Sequence, residues 1–340
     1  MPNGKIDGFG REGRALEDLM AKFSAGEQRA LARVISLVEN ESPEKDELLR
    51  RLYPRTGAAY IVGITGAPGS GKSSLVDRLT GLIRRAERTV GIVAVDPTSP
   101  FTGGALLGDR IRMQEHACDG GVFIRSMGTR GSLGGLARTT KDVIKVLDAF
   151  GFDYILVETV GVGQAELDIM HVADTTVVVL TPATGDSIQT IKAGIMEIAD
   201  VFAVNKADLP GARKLAVEVE AMLDLQGTRP AWRPPVVLTS TVSGEGLEEL
   251  WAAVERHRAH LVEAGLFERR RQERARAEAL EIADHRWQAM VRQHTELPGP
   301  VNELLARVEA RELDPYTAAA EILQWVISAS PLRGAGCGTG

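Results

Sequence analysis

Apolar positions along this chain follow three successive rhythms. From about Ala15 to Leu52 they recur at helical spacing, with Leu31, Val34, Ile35 and Val38 at i, i+3, i+4 and i+7 on one stripe. Ser42-Pro43 predicts the start of a further short helix, with proline at its first position. From Ala58 to about His260, short apolar runs alternate with amphipathic stretches. The runs Tyr60–Ile64, Thr89–Val95, Val122–Ser126, Tyr154–Glu158, Thr175–Thr181, Val201–Asn205 and Pro235–Ser240 predict strands. Several, such as Thr176 to Leu180, lack polar alternation, as parallel strands covered on both faces require. Lys72–Ala86, Leu136–Phe150 and Ser187–Ala199 predict helices between them. The expected fold is α/β, a mostly parallel sheet flanked by helices.

The strand pattern stops after His260. Glu263 to Thr295 reads as one long helix ended by Pro298-Gly299-Pro300, and two helices follow, the last with Asp314 as N-cap and Pro315 at N1. The expected organisation is an N-terminal helical segment over 1–57 and an α/β domain over 58–260. A C-terminal helical arm over 261–333 and a disordered Gly-rich tail over 334–340 follow. An arm of this kind serves dimerisation or partner docking, and dimerisation is the preferred expectation.

Composition narrows the classes. The 340 residues, 44% hydrophobic and 25% charged, are ordinary for a globular protein, and a net charge of −6 gives no reason to expect nucleic-acid binding. Two cysteines, Cys118 and Cys337, argue against a disulfide framework or a Cys-based metal site. No stretch approaches 18 uninterrupted apolar residues and the first residues carry no apolar signal core, so a cytoplasmic, membrane-free protein is expected.

The chemistry lies at the ends of the apolar runs. Directly after Tyr60–Ile64 come Gly66-Ala67-Pro68-Gly69-Ser70-Gly71-Lys72-Ser73-Ser74, with the G-x-x-x-x-G-K-S spacing of a phosphate-binding loop. The glycines let successive N–H groups converge on phosphate oxygens, Lys72 supplies a cation between the β- and γ-phosphates, and the Ser73 hydroxyl is a Mg²⁺ ligand. A helix beginning here points its positive end at the phosphates. After Val201–Val204 comes Asn205-Lys206-Ala207-Asp208. The Asp208 carboxylate accepts from guanine N1–H and its exocyclic amine, a donor pair that adenine lacks. The Lys206 stem packs over the ring and Asn205 ties this loop to the phosphate loop. Thr239-Ser240-Thr241, after the strand from Pro235, is a softer candidate for a third base-contacting loop, with Ser240 and Thr241 as the contacting residues.

Three carboxylates are candidates for the hydrolytic centre. Asp96 closes the strand after the phosphate-loop helix, where a Mg²⁺ role competes with that of a turn-forming Asp-Pro. Asp109 follows the Gly-rich Thr102-Gly103-Gly104, where a loop over the γ-phosphate competes with an ordinary exposed aspartate. Glu158 ends an apolar strand and opens Glu158-Thr159-Val160-Gly161-Val162-Gly163-Gln164. There it can order Mg²⁺ and the attacking water while Gly161 N–H reads the γ-phosphate, the alternative being a solvent-facing strand end. Glu158 and Lys72 are therefore the catalytic candidates, and Ser73, Asp96, Asp109 and Glu158 the metal candidates, with GTP or GDP and Mg²⁺ as cofactors.

With these residues in view, the chain resembles P-loop GTPases of the MeaB/ArgK type, chaperones of adenosylcobalamin-dependent acyl-CoA mutases such as methylmalonyl-CoA mutase. The resemblance covers nearly the whole chain, through the phosphate loop, Val95 to Met113, Glu158 to Gln164, Thr184 to Gly194 and Asn205 to Asp208. It implies a GTPase that gates cofactor loading and protects or reactivates the mutase, possession of a homodimerisation arm, and contact with the mutase and its adenosyltransferase. It also implies that Asp186, Gln189 and Lys192 belong to a switch controlled by that partner; read as bare sequence the segment is only a loop entering a helix. Ser240-Thr241 departs from the family's usual Ser-Ala, and the GAPGSG form of the loop leaves the identity of the mutase open. The alternatives are a nucleotide-dependent kinase linked to basic amino-acid (arginine or ornithine) transport, a nickel metallochaperone, and a scaffold with negligible turnover. The six histidines are scattered, which speaks against the metallochaperone.

Overall fold

The structure, a computed structural model, describes residues 7–96, 116, 118–128, 138–159, 165–182, 194, 196–225, 231–295 and 299–329. The chain divides into two compact units, Met1–Phe267 and Glu268–Gly340.

The first unit opens with helices α1 (Asp7–Ser24), α2 (Gln28–Glu39) and α3 (Lys45–Leu52). Pro43 lies in the turn before α3 and not at its first position, because the helix begins two residues later. The alternation that follows gives β1 (Tyr60–Thr65), α4 (Lys72–Arg85), β2 (Val90–Asp96), β3 (Val122–Gly128), α5 (Arg138–Phe150) and β4 (Tyr154–Glu158). Next come a single turn α6 (Ala165–Asp168), β5 (Thr175–Leu180), β6 (Val201–Val204), α7 (Ala212–Asp224), β7 (Val236–Leu238) and α8 (Leu247–Glu263). All seven expected strands form, with ends shifted by a residue or two. Most of the expected helix Ser187–Ala199 lies outside the described residues; 196–200 are turn and bend.

The seven strands form one parallel sheet in the order β3-β2-β4-β1-β5-β6-β7. Parallel pairing needs crossovers on the faces, which is why both faces are apolar. Tyr60, Val62, Ile64 and Leu156 face α4 and α8, whereas Val93, Ile155, Val157 and Val178 face α2, α5 and α7. The stripe Leu31, Val34, Ile35 and Val38 is fully buried, so α2 belongs to the same core as the sheet. Polar contacts tie α3 and the residues before β1 to α5. Lys45 Nζ meets the buried Asp142 carboxylate at 2.9 Å, and the Asp148 carboxylate accepts from the N–H groups of Gly57, Ala58 and Ala59 at 2.6, 3.1 and 2.9 Å.

At the amino ends of the strands, Thr175 Oγ1 meets His257 Nδ1 at 2.8 Å, and His257 Nε2 lies 3.2 Å from Asp200 Oδ1. Beside them Tyr154 donates to Glu255 and accepts from Arg258. Burial, then the Glu255 charge, pushes the Tyr154 hydroxyl up to about 12, so it stays protonated as that donor. This end of the sheet is closed by side chains, and loops carrying the expected motifs gather at the other.

In the second unit, α9 (Leu266–Thr295) precedes α10 (Pro300–Glu309) and α11 (Pro315–Ala329). The single helix expected from Glu263 is broken at Ala264-Gly265, where Gly265 takes φ +66°. Asp314 Oδ1 caps α11 by accepting from the N–H groups of Tyr316 and Thr317, both at 3.0 Å. Helices α10 and α11 pack together. One side of α11 is buried at Ala318 and Val326; Tyr316, Leu323 and Ile327 are exposed on the other.

Candidate functional site: a phosphate loop joined to a base loop

The loop from Gly66 to Gly71 leaves the carboxyl end of β1 and turns into α4. Gly66 has φ +140°, and a Cβ there would collide with the carbonyl oxygen of Val179 on β5; the loop hugs the neighbouring strand because no side chain intervenes. Gly71 has φ +90°, and its missing Cβ makes room for the Asn205 amide. Helix α4 has no side-chain cap and its ladder starts with Leu75 N–H donating to Gly71 O at 2.9 Å. An uncapped amino end of this kind binds phosphate. Ala67, Pro68 and Gly69 are exposed at the loop's crest, Ser70 is buried beneath it, and Ser74 is exposed on the first turn of α4.

Lys72 is 5% exposed and folds back over the loop, donating to Gly66 O at 2.8 Å and Ala67 O at 3.0 Å. Its cation is thus held where phosphates arrive. Ser73 Oγ donates to Glu158 Oε1 at 2.6 Å, and both side chains are buried. Glu158 stands in register with Ile64 on one neighbour and Ala94 on the other, at the centre of the sheet's carboxyl edge. A hydroxyl and a carboxylate oxygen converging at this point fit Mg²⁺, which takes hard oxygen ligands and keeps several waters. Asp96 is the last residue of β2, in register with Gly128. Asp109, Gly161 and the trio Asp186, Gln189 and Lys192 lie outside the described residues.

The base loop is bonded to the phosphate loop. Asn205 Nδ2 donates to Ser70 O at 2.8 Å, and Lys206 Nζ donates to Gly69 O at 2.9 Å. Lys206 adopts φ +58°, in the left-handed region that glycine favours. Asp208 is exposed, and its Oδ1 accepts from Ser240 Oγ at 2.6 Å. Ala207 N–H donates to Thr239 O at 2.9 Å, so the loop after β7 is laced to the loop after β6. Thr241 O accepts from Arg78 of α4 at 3.2 Å. Sequence reasoning assigned no role to Arg78 or Thr65, which no motif position marks, and none to Thr159, although it stands inside the Glu158–Gln164 motif.

A P-loop, a guanine-type loop bound to it and a strand-end glutamate on the P-loop serine define a nucleotide site at the sheet's carboxyl edge. The family model described as methylmalonyl-CoA mutase-associated GTPase MeaB matches residues 31–296. The chain belongs to the MeaB family of P-loop GTPases. A Pyrococcus abyssi protein named as a GTPase is 50% identical over 315 residues, 92% of this chain and 97% of that one. The mouse protein named methylmalonic aciduria type A homolog, mitochondrial, is 35% identical over 280 residues, 77% of this chain and 68% of that one. Escherichia coli GTPase ArgK is 32% identical over 268 residues, 76% of this chain and 81% of that one. Among solved structures, one titled LAO/AO transport system kinase superposes with a TM-score of 0.69 over 92% of this chain and 98% of its own; at 24% identity it speaks for the fold alone. As a MeaB-family P-loop GTPase the chain binds GTP or GDP with Mg²⁺ and hydrolyses GTP.

Proposed function

We propose that this GTPase is a G-protein chaperone of an adenosylcobalamin-dependent acyl-CoA mutase of the methylmalonyl-CoA mutase type. The observation that carries the reading is the family match itself, which spans the nucleotide site and the helix α9 after it. Hydrolysis then gates cofactor loading and protects or reactivates the mutase. The adenosyltransferase that supplies the cofactor is a second contact, and the chain works in the cytoplasm.

In this reading Lys72, fixed by its loop carbonyls, also donates to the β- and γ-phosphate oxygens, and Asp208, steadied by Ser240, accepts from the guanine edge. Glu158 holds and orients the attacking water, with its carboxylate fixed by Ser73. Mg²⁺, held by Ser73 and Glu158 together with Asp96 and Asp109, neutralises charge on the phosphate oxygens when bound. The arrangement favours GTP over ATP, and so speaks against the kinase alternative, because Asp208 would be left without its donor pair by adenine. A homodimer through the C-terminal helices completes the reading, supported by the exposed apolar stripe Tyr316, Leu323 and Ile327 along α11.

The deciding experiment measures GTP turnover with an ATP control, with and without a purified adenosylcobalamin-dependent acyl-CoA mutase from the same organism. Stimulation of GTP turnover by the mutase is expected. GTP turnover indifferent to the mutase would remove the chaperone reading and leave the GTPase.

A further inference from the structure

Glu158 is the last residue of β4, at the fraying edge of a parallel ladder, yet its carboxylate has to be held still to serve a water. The ladder does not stop there. Thr159 N–H donates to Ile64 O at 3.1 Å, one residue past the strand, and Thr159 Oγ1 donates to Thr65 Oγ1 at 2.9 Å. Both threonines are fully buried. Side chains alternate across a strand, so Thr65 and Thr159 occupy the face opposite Ile64 and Glu158. One face carries Glu158 to Ser73 on α4, and the other locks the same two backbones together through hydroxyls.

The pair also spans the roots of two loops. Thr65 immediately precedes Gly66, where the phosphate loop begins, and Thr159 immediately follows Glu158. Valine would fill the same space at either position, and packing alone gives no reason for two hydroxyls in an apolar layer that contains Val157 and Val178. A buried hydroxyl is costly unless it is bonded, so each makes sense as the partner of the other.

We propose that Thr159 and Thr65 form a positioning pair for GTP hydrolysis, setting Glu158 relative to the phosphate loop without touching nucleotide. This rests on the reading of Glu158 as the water-orienting residue. The test uses the full chain with GTP and Mg²⁺, measuring kcat, the affinity for a fluorescent GDP analogue and the thermal midpoint. Thr159→Val and Thr65→Val are each expected to lower kcat roughly tenfold, the size of one lost buried hydrogen bond, with GDP affinity within about twofold. Thr159→Ser should restore the rate, and the double valine variant should be no slower than either single one, since both remove the same bond. Glu158→Gln is the separating arm. If it is inactive while Thr159→Val and Thr65→Val turn over like the native chain, the pair has no positioning role and the reading of Glu158 stands. If Glu158→Gln turns over normally, that reading fails and the proposal with it. Equal losses of rate and GDP affinity, not rescued by serine, would make the pair merely structural.

Discussion

On the proposed reading Lys72 and Asp208 meet opposite ends of the nucleotide, and their substitutions should separate accordingly. Lys72→Ala removes a charge-assisted contact to the phosphates, so GDP affinity by titration calorimetry should fall by about a hundredfold or more. Asp208→Asn replaces an acceptor by a donor–acceptor group, so it should discriminate against guanine by about a hundredfold and favour xanthine, whose C2 oxygen accepts where guanine donates. Competition between GDP and xanthosine diphosphate checks this directly. These residues were legible in the sequence because both motifs have fixed spacing after an apolar run. The contacts of Thr65, Thr159 and Arg78 were not, even with Thr159 inside a motif, because a hydroxyl or a guanidinium on a neighbouring element leaves no trace in local spacing. Their roles exist only once β1, β4 and the loop after β7 are adjacent.

Among elements, the central parallel strands were read correctly because two-sided burial leaves few polar positions between their ends. Ends were less certain: whether β7 stops at Leu238 or runs to Ser240 depends on ladder partners, not on residue type. The break at Gly265 was hidden inside a helical pattern continuous in composition. What the pattern did not reveal was how the residues leading into β1 are held against α5. Asp148→Ala removes a carboxylate on which three backbone N–H groups converge and should destabilise the first unit by about 2–4 kcal/mol in urea unfolding. Leu31→Ala should cost a similar or larger amount, about 2–5 kcal/mol, through a buried cavity. On α11 the outcome concerns assembly: if the proposed homodimer forms through the exposed stripe, Leu323→Glu should convert it to monomer in sedimentation while leaving the helix intact.

For the whole molecule, acid stability follows from depressed carboxylates at the amino edge of the sheet. The Arg84 guanidinium, then the Gly121 N–H, hold the Asp119 carboxyl below the usual range. Burial acts to raise Asp153, but hydrogen bonds from the Thr89 N–H and hydroxyl and from Arg88 outweigh it and lower it. A depressed carboxylate stabilises the fold above the unfolded value, about pH 3.9, and that share is lost as pH falls through the folded value. Urea midpoints should therefore be flat between pH 5 and 7 on this account and fall below about pH 4. Asp119→Asn should be less stable near neutrality but lose less on acidification.

The grip of Lys72 on its own loop makes it a cation set in place and not one recruited by the ligand. The carbonyls of Gly66 and Ala67 accept two hydrogen bonds from the ammonium and fix it over the loop. A charge pinned in that way rewards only the groups that reach it, which on the proposed reading are the outer phosphates and not a ribose hydroxyl. Affinity should thus climb mainly between GMP and GDP and not in even steps from guanosine, because guanosine and GMP, although they carry the right base, place no charge beside the lysine.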